Sequence, residues 1–259
     1  MELKLYQVDA FASKVFAGNP AAICPLQHWL DDASMQAIAL ENNLSETAFF
    51  VATGNSYHIR WFTPLAEVEL CGHATLASAH VIFNLLGDDR DSIIFESKSG
   101  PLHVTRKDDQ LEMDFPVQQP APCETPHALR QAFDKQLQTC LRGADYILVL
   151  HDEAGVADAA PDMSLLSTLD LRGVAITARS DSYDFVCRFF APKYGINEDP
   201  VTGSAFTQLV PYWAQRLGKN EFSARQLSRR GGDVSCALAG DRVKIAGQAT
   251  LYMEGTIRF

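Results

Sequence analysis

Two stretches decide how this chain is read: Arg60-Trp-Phe-Thr-Pro-Leu-Ala-Glu-Val-Glu-Leu-Cys-Gly-His-Ala-Thr75 and Arg188-Phe-Phe-Ala-Pro-Lys-Tyr-Gly-Ile-Asn-Glu-Asp-Pro-Val-Thr-Gly-Ser-Ala-Phe206. Both run Arg, aromatic, Phe, any residue, Pro, then acidic residues, then Cys or Thr, Gly, His or Ser, and Ala. The second copy is three residues longer between its proline and its glycine. Each glycine opens an apolar run, Ala74 to Leu86 in the first copy and Ser204 to Leu217 in the second, and both runs read as helices. A glycine at a helix start lets a ligand approach the backbone, and the first N–H groups of a helix have no partner within it. Such an end carries partial positive charge and suits a small anion. Taken singly, either glycine reads better as the start of a packed helix, since glycine-rich matches are weak evidence. The repetition is what points to a function.

Working outward from the first copy, period-two alternation predicts strands at Leu3–Phe11, Ala21–Pro25, Thr47–Ala52 and Tyr57–Phe62, with a hairpin turn at Thr53-Gly54-Asn55-Ser56. A helix is expected over Asp32–Asn42, with Asp31, Asp32 and Ser34 as N-cap oxygens and Asn42-Asn43 as its stop. Ala66–Leu70, Ser92–Ser97, Leu102–Lys107 and Gln110–Phe115 read as further strands. Pro116 to Pro126, with four prolines, reads as a linker. The second half has the same composition: a helix over Pro126–Thr139, strands near Tyr146–Leu150, Gly173–Ala178 and Asp184–Ala191, then a helix over Ser204–Leu217. Strands near Gln226–Ser228, Asp233–Ala239, Arg242–Gly247 and Ala249–Phe259 complete it. The fold class is α+β with two similar halves.

The 259 residues, 47% apolar and 21% charged, supply enough material for two cores, which excludes intrinsic disorder. Twenty-two basic against 32 acidic side chains give a formal charge of -10, so a phosphate backbone is repelled and nucleic-acid partners are excluded. The most apolar window, Ala74 to Leu86, falls short of the roughly 20 residues that span a bilayer. The amino-terminal segment alternates like a strand and has no export-signal layout, so a cytoplasmic location and no membrane partner are expected. Six scattered cysteines with no C-x-x-C pair argue against a disulfide framework and a structural zinc site, and most read as buried thiols.

Gly18-Asn19-Pro20-Ala21-Ala22, Leu44-Ser45-Glu46-Thr47-Ala48-Phe49, Phe62-Thr63-Pro64, Cys71-Gly72-His73-Ala74-Thr75, Glu198-Asp199-Pro200-Val201-Thr202-Gly203-Ser204-Ala205 and Arg230-Gly231-Gly232 together resemble the phenazine-biosynthesis PhzF-like isomerase family. The resemblance covers nearly the whole chain, in order. It implies a diaminopimelate-epimerase-like fold of two pseudo-symmetric domains, each a curved sheet or barrel around a central helix. Residues 1–116 with a C-terminal strand over about 251–259 would form one domain and 117–250 the other, with the active site in the cleft between them. Family members use no metal, flavin or nucleotide, and they are usually homodimers.

By the same resemblance Glu46 matches the catalytic acid/base, which moves a proton between carbons of a substrate related to dihydro-3-hydroxyanthranilate. His73 and Asp199 match residues that hold polar groups of the substrate and relay protons. Asn19, Cys71, Gly72, Thr202, Gly203 and Ser204 are expected to bind a small carboxylated substrate. Read without the resemblance, Glu46 is better taken as a surface residue at a strand start; His73 could be a core histidine and Asp199 an acidic residue before a turn proline. A carboxylate set among Ser45, Thr47, Ala48 and phenylalanines would be partly desolvated, which favours acid/base work. Related epimerases use one cysteine from each half. Thr202 stands where the second would be, and a threonine supplies no thiolate. Many members carry a histidine where this chain has Phe206. An isomerase acting without cofactor is the leading expectation; a related epimerase or lyase on an amino-acid-like compound, or a non-catalytic metabolite-binding protein, are the alternatives.

Overall fold

The structure, a computed structural model, describes residues 1–133 and 137–259. The chain divides into two units, residues 1–114 with 246–259, and residues 115–245.

The first unit contains β1 (Glu2–Ala10), β2 (Asn19–Leu26), α1 (Asp32–Asn42), β3 (Glu46–Thr53), β4 (Ser56–Phe62), the short β5 (Glu67–Val68), α2 (Gly72–Asn84), β6 (Ser92–Ser97), β7 (Gly100–Lys107) and β8 (Gln110–Pro116), which runs on past its boundary. The final strand, Ala249–Arg258, pairs antiparallel with β1, so chain end and chain start share a sheet. From β1 the pairing continues through antiparallel β2, parallel β3, antiparallel β4, parallel β6 and antiparallel β7 and β8. Thr53 faces Ser56 across a two-residue turn in which Gly54 has φ +58°, a conformation that glycine adopts without strain.

Helix α1 places Met35, Ile38 and Ala39 against Leu5, Ala22, Cys24, Phe49 and Phe62. Side chains alternate along a strand, so Thr47 and Phe49 of β3 turn to α1 while Glu46, Ala48 and Phe50 turn the other way. The bond from Asn42 Nδ2 to Thr47 Oγ1, 3.1 Å, agrees with that assignment. Helix α2 is buried nearly all round and packs on β1, β2, β3 and the final strand. It carries two hydroxyls into that apolar setting, each satisfied by its own helix: Thr75 Oγ1 donates to Cys71 O at 2.6 Å and Ser78 Oγ to Ala74 O at 2.7 Å.

The second unit repeats the plan. It contains β9 (Ala121–Pro122), α3 (His127–Ala132), β10 (Leu137–Arg142), β11 (Tyr146–Leu150), α4 (Glu153–Ala157), α5 (Met163–Leu166), β12 (Val174–Arg179), β13 (Phe185–Ala191), β14 (Ile196–Asp199), α6 (Gly203–Leu217), β15 (Glu221–Gln226), β16 (Gly232–Ala239) and β17 (Arg242–Gly247). Pairing runs antiparallel from β9 to β10 and β11, parallel to β12, antiparallel to β13, and from β13 parallel to β15 and antiparallel to β16. This is the order of parallel and antiparallel neighbours found from the final strand through β1 to β7. Helices α3, α4 and α5 cover the apolar face built on Leu148, Leu150, Val174, Ile176 and Phe190, as α1 does in the first unit.

Helix α6 contains Pro211, which has no N–H to donate to the carbonyl of Thr207. The N–H of Gln118 takes up that carbonyl at 3.1 Å, and the helix continues to Leu217. Phe206, where the family resemblance leads one to expect a histidine in many members, is fully buried with its ring centroid 6.0 Å from that of Phe185.

The helix expected over Pro126–Thr139 is corrected by the structure: α3 ends at Ala132, and Leu137–Arg142 is the strand β10. The middle of that expected helix, residues 134–136, lies outside the described residues. Local composition there favours a helix, but pairing with both β9 and β11 makes 137–142 a strand. The stretch expected as a bare linker contains β9, and the strand expected near Gln226–Ser228 is β15, which ends at Gln226. Among the described residues no helix is long and apolar enough to cross a membrane.

Candidate active site

The repeated sequence has a repeated three-dimensional core. Arg60 makes a two-toothed ion pair with Glu67, Nε to Oε1 at 2.7 Å and a terminal nitrogen to Oε2 at 2.9 Å, and its guanidinium lies 5.2 Å from the ring of Phe62. Arg188 does the same with Glu198, at 2.6 and 3.1 Å, and lies 5.1 Å from Phe190. The three extra residues of the second copy fall between arginine and glutamate, so from each glutamate the count to the helix start is equal. Cys71 then corresponds to Thr202, Gly72 to Gly203 and His73 to Ser204. Fork-to-fork pairing fixes the segment that leads into each helix. The Arg60 guanidinium also holds the Glu67 carboxyl at about 2, well below its ordinary range.

The two repeat helices start differently from α1, α4 and α5. Asp31, Asp152 and Asp162 accept N–H bonds at the starts of α1, α4 and α5. Cys71 and Thr202, the cap residues of α2 and α6, make no side-chain capping bond. Threonine is a competent N-cap, yet Thr202 Oγ1 donates instead to Asp199 Oδ2 at 2.6 Å. The cap side chains thus leave the leading N–H groups of both repeat helices uncovered.

In the first unit, Asn19, Glu46, Cys71 and His73 come together. Asn19 and Glu46 open β2 and β3, on the face that alternation turns toward α2. His73 is the second residue of α2. Its Nε2 lies 3.2 Å from Glu46 Oε2, with the two side chains only 5% and 12% exposed. On the other side of the ring, Nδ1 is 3.2 Å from Asn19 Nδ2 and 3.5 Å from Cys71 Sγ. Burial pushes the His73 pKa down to about 3, so the imidazole is neutral. A neutral ring has one N–H and one lone pair. With the amide of Asn19 donating to Nδ1, the ring proton is assigned to Nε2, on the side of Glu46, although the 3.2 Å approach of Nε2 to Oε2 is not aligned as a hydrogen bond.

Asn19 is held by the turn before it. Gly18 has φ +63°, and a side chain there would bring its Cβ to 2.1 Å from the carbonyl oxygen of Ala10, the residue that pairs with Asn19. Only glycine fits. Within the same loop, the N–H of Phe16 donates to the buried Asp9 carboxylate at 2.8 Å.

In the second unit, Asp199, Thr202, Gly203 and Ser204 form the lead into α6. Gln226, buried on β15, grips this turn from both sides: its Nε2 donates to Asp199 O at 2.6 Å and its Oε1 accepts from Thr202 N at 2.9 Å. Arg172 donates to Ser204 Oγ at 3.0 Å and to both oxygens of the fully buried Asp145 at 2.9 and 2.6 Å, while Gln208 Nε2 donates to the same carboxylate at 2.9 Å. Reading the sequence did not single out Gln226, Arg172, Asp145 or Gln208. They stand alone in the chain, outside any motif, and only the fold gathers them.

Glu46, Cys71 and His73 each offer a ligand atom, all within 4.8 Å of one another, so these three could hold a metal ion. The close contacts of His73 to Glu46 and to Cys71 are made by opposite ring nitrogens, Nε2 and Nδ1.

The sequence pattern of the family described as "Phenazine biosynthesis-like protein" matches residues 8–255. An uncharacterized isomerase of Pseudomonas aeruginosa is 54% identical over 257 residues, 99% of either chain. The human phenazine biosynthesis-like domain-containing protein is 36% identical over 286 aligned positions, again 99% of either chain. The crystal structure of a PhzF-family phenazine biosynthesis protein from Enterococcus faecalis is 48% identical, with a TM-score of 0.97 over 100% of both chains. A hydroxyproline epimerase from Agrobacterium vitis, 10% identical, has a TM-score of 0.65 over 99% of this chain and 92% of its own, a likeness of fold alone. With the duplicated α+β plan and its two helix starts, these likenesses show that the chain belongs to the PhzF-like family of phenazine biosynthesis-like isomerases, on the diaminopimelate epimerase and proline racemase type of fold.

Proposed function

We propose that the protein is an isomerase that needs no metal or cofactor and moves a proton between carbons of a small carboxylated metabolite, with Glu46 as base and then acid. The observation that carries this reading is the contact of Glu46 with the neutral, buried His73. Glu46 takes a proton from a carbon beside an electron-withdrawing group and returns it to another carbon, with no net redox change. His73 positions the carboxylate by packing its Nε2 3.2 Å from it, and is itself oriented by Asn19. The uncapped start of α2, at Cys71 and Gly72, offers N–H groups to the substrate's negative charge. In the second unit, the same reading gives Asp199, Thr202, Gly203 and Ser204 a share in holding polar groups of the substrate.

The test is incorporation of solvent deuterium into dihydro-3-hydroxyanthranilate and related cyclic carboxylates, followed by NMR. Glu46→Gln is nearly isosteric but cannot take up a proton at neutral pH, and should lower the exchange rate by about 10²–10⁴-fold while leaving thermal stability near that of the parent. Exchange that survives Glu46→Gln refutes the assignment.

A second reading is favoured by the 3.5 Å contact of Cys71 Sγ with His73 Nδ1, a thiol beside an imidazole. There Cys71 would be the base, as in a thiol-dependent epimerase acting on an amino-acid-like compound. Cys71→Ser separates the two, since it abolishes exchange only under this second reading.

A further inference from the structure

The two cysteines nearest the start of the second unit stand face to face. Strand β9 pairs with β10 so that Ala121 faces Arg142 and Pro122 faces Leu141. Continuing that register by one residue sets Cys123 opposite Cys140. The N–H of Cys123 donates to the carbonyl of Cys140 at 3.0 Å, and the two Sγ atoms are 3.4 Å apart. Facing residues of an antiparallel pair have Cα atoms about 4.5–5.5 Å apart, inside the range a disulfide spans, so bonding needs a small side-chain rotation and no backbone shift. The two thiols differ in access. Cys123 is half-buried at the edge of the α3–α5 cluster, while Cys140 is 4% exposed within it. Cys24, Cys71, Cys187 and Cys236 are all buried.

We infer that Cys123 and Cys140 form a reversible dithiol–disulfide site that reacts with low-molecular-weight disulfides of the glutathione class. This site is separate from the Glu46–His73 group and does not rest on the function proposed above. Cys123, the accessible member, loses its proton and attacks one sulfur of the small disulfide, releasing one small thiolate that takes up a proton. The result is a mixed disulfide on Cys123. Cys140 then gives up its proton and attacks the Cys123 sulfur, expelling the second small thiolate, which is protonated in turn. Two cysteine thiols are oxidised by two electrons to one disulfide, and one small disulfide is reduced to two thiols. Burial and the neighbouring Cys123 push the Cys140 thiol up to about 12, which makes Cys140 slow to attack an outside disulfide, while its Sγ, 3.4 Å from that of Cys123, is placed for the second, intramolecular step.

The bond would close a ring around α3 and tie β9, the entry strand of the second unit, to β10. That covalent link constrains the unfolded chain and should raise the melting temperature of the oxidised protein by several degrees.

The experiment uses the full chain, reduced and then incubated natively with glutathione disulfide, denatured, alkylated and analysed by mass spectrometry. The parent should lose two of its six alkylatable thiols without keeping glutathione and should yield a Cys123–Cys140 linked peptide. Dithiothreitol should restore both thiols. Cys140→Ser should stop at glutathione on Cys123, and Cys123→Ser should react little. The inference is overturned if the parent keeps all six thiols, if it retains glutathione on Cys123 without closing the ring, if the link forms elsewhere, or if oxidation lowers the melting temperature.

Discussion

Replacing His73 by glutamine should flatten the acid side of the stability profile. In the folded protein burial keeps this imidazole neutral down to about pH 3, whereas in the unfolded chain it takes up a proton near 6.5. Above pH 6.5 both states hold it neutral, and it contributes no pH dependence. Below 6.5 the unfolded state binds a proton that the folded state does not, so stability falls by about 1.4 kcal/mol per pH unit until about pH 3. By pH 5 the loss from this one residue is about 2 kcal/mol, or about 4–8 °C in melting temperature for a chain of this size. The parent and His73→Gln would be melted at pH 7.5, 6.0 and 5.0. The variant starts lower, having lost the contacts to Glu46 and Asn19, but its curve should descend less steeply. Heteronuclear NMR of the parent should show a single neutral tautomer for His73, with the proton on Nε2, down to pH 4. Parallel melting profiles, or a His73 titration with a midpoint near 6.5, would refute the buried neutral imidazole and the orienting role built on it.

Other outcomes follow from the same geometry. Cys71→Ser should retain most deuterium exchange, because serine keeps the small polar contact that Thr202 makes in the other copy; a loss as deep as that of Glu46→Gln would make the thiol the base. Gly18→Ala should cost about 2–4 kcal/mol, from the left-handed backbone and the contact with the Ala10 carbonyl, and should impair activity through Asn19, as read by melting and exchange together. Arg172→Met strands the buried Asp145 carboxylate with Gln208. Since Arg172 is itself partly exposed, a loss of about 2–3 kcal/mol is expected in denaturant titration. Exchange should persist after exhaustive treatment with a chelator, and activity that disappears with the chelator and returns with a divalent ion would show that Glu46, Cys71 and His73 hold a metal after all.

Several parts of this architecture can be read from the residues alone. The limits of α1 are written in Asp31 and Asn43, a side-chain cap at one end and a left-handed stop at the other. The buried helices announce themselves by apolar runs behind a glycine. Period-two alternation through β3 already puts Glu46 on the face opposite Thr47 and Phe49. That argument reaches the face but not the partner: nothing local brings His73, 27 positions on, to 3.2 Å from it. Residues 137–142 were illegible for a related reason, because β10 is a strand only by virtue of neighbours on both sides. Gln226 and Arg172 were illegible because a single polar residue has no periodicity to betray it. Their roles exist only once β15 and the segment before β12 lie against the lead into α6.

The paired arginines bear on how such a protein can change its chemistry over evolutionary time. Each copy of the repeat keeps its arginine, its glutamate and the aromatic ring beneath the guanidinium, and these hold the lead-in segment in shape. The residues that differ between the copies, Cys71 against Thr202 and His73 against Ser204, sit just beyond that clamp, at the N-terminal end of a helix dipole and not in the clamp itself. Support and reactivity are therefore carried by different side chains only a few positions apart. After a duplication, one copy could acquire an imidazole and the other a hydroxyl without loss of the framework that presents them, and the same division leaves room for new substrates to be explored at little risk to folding.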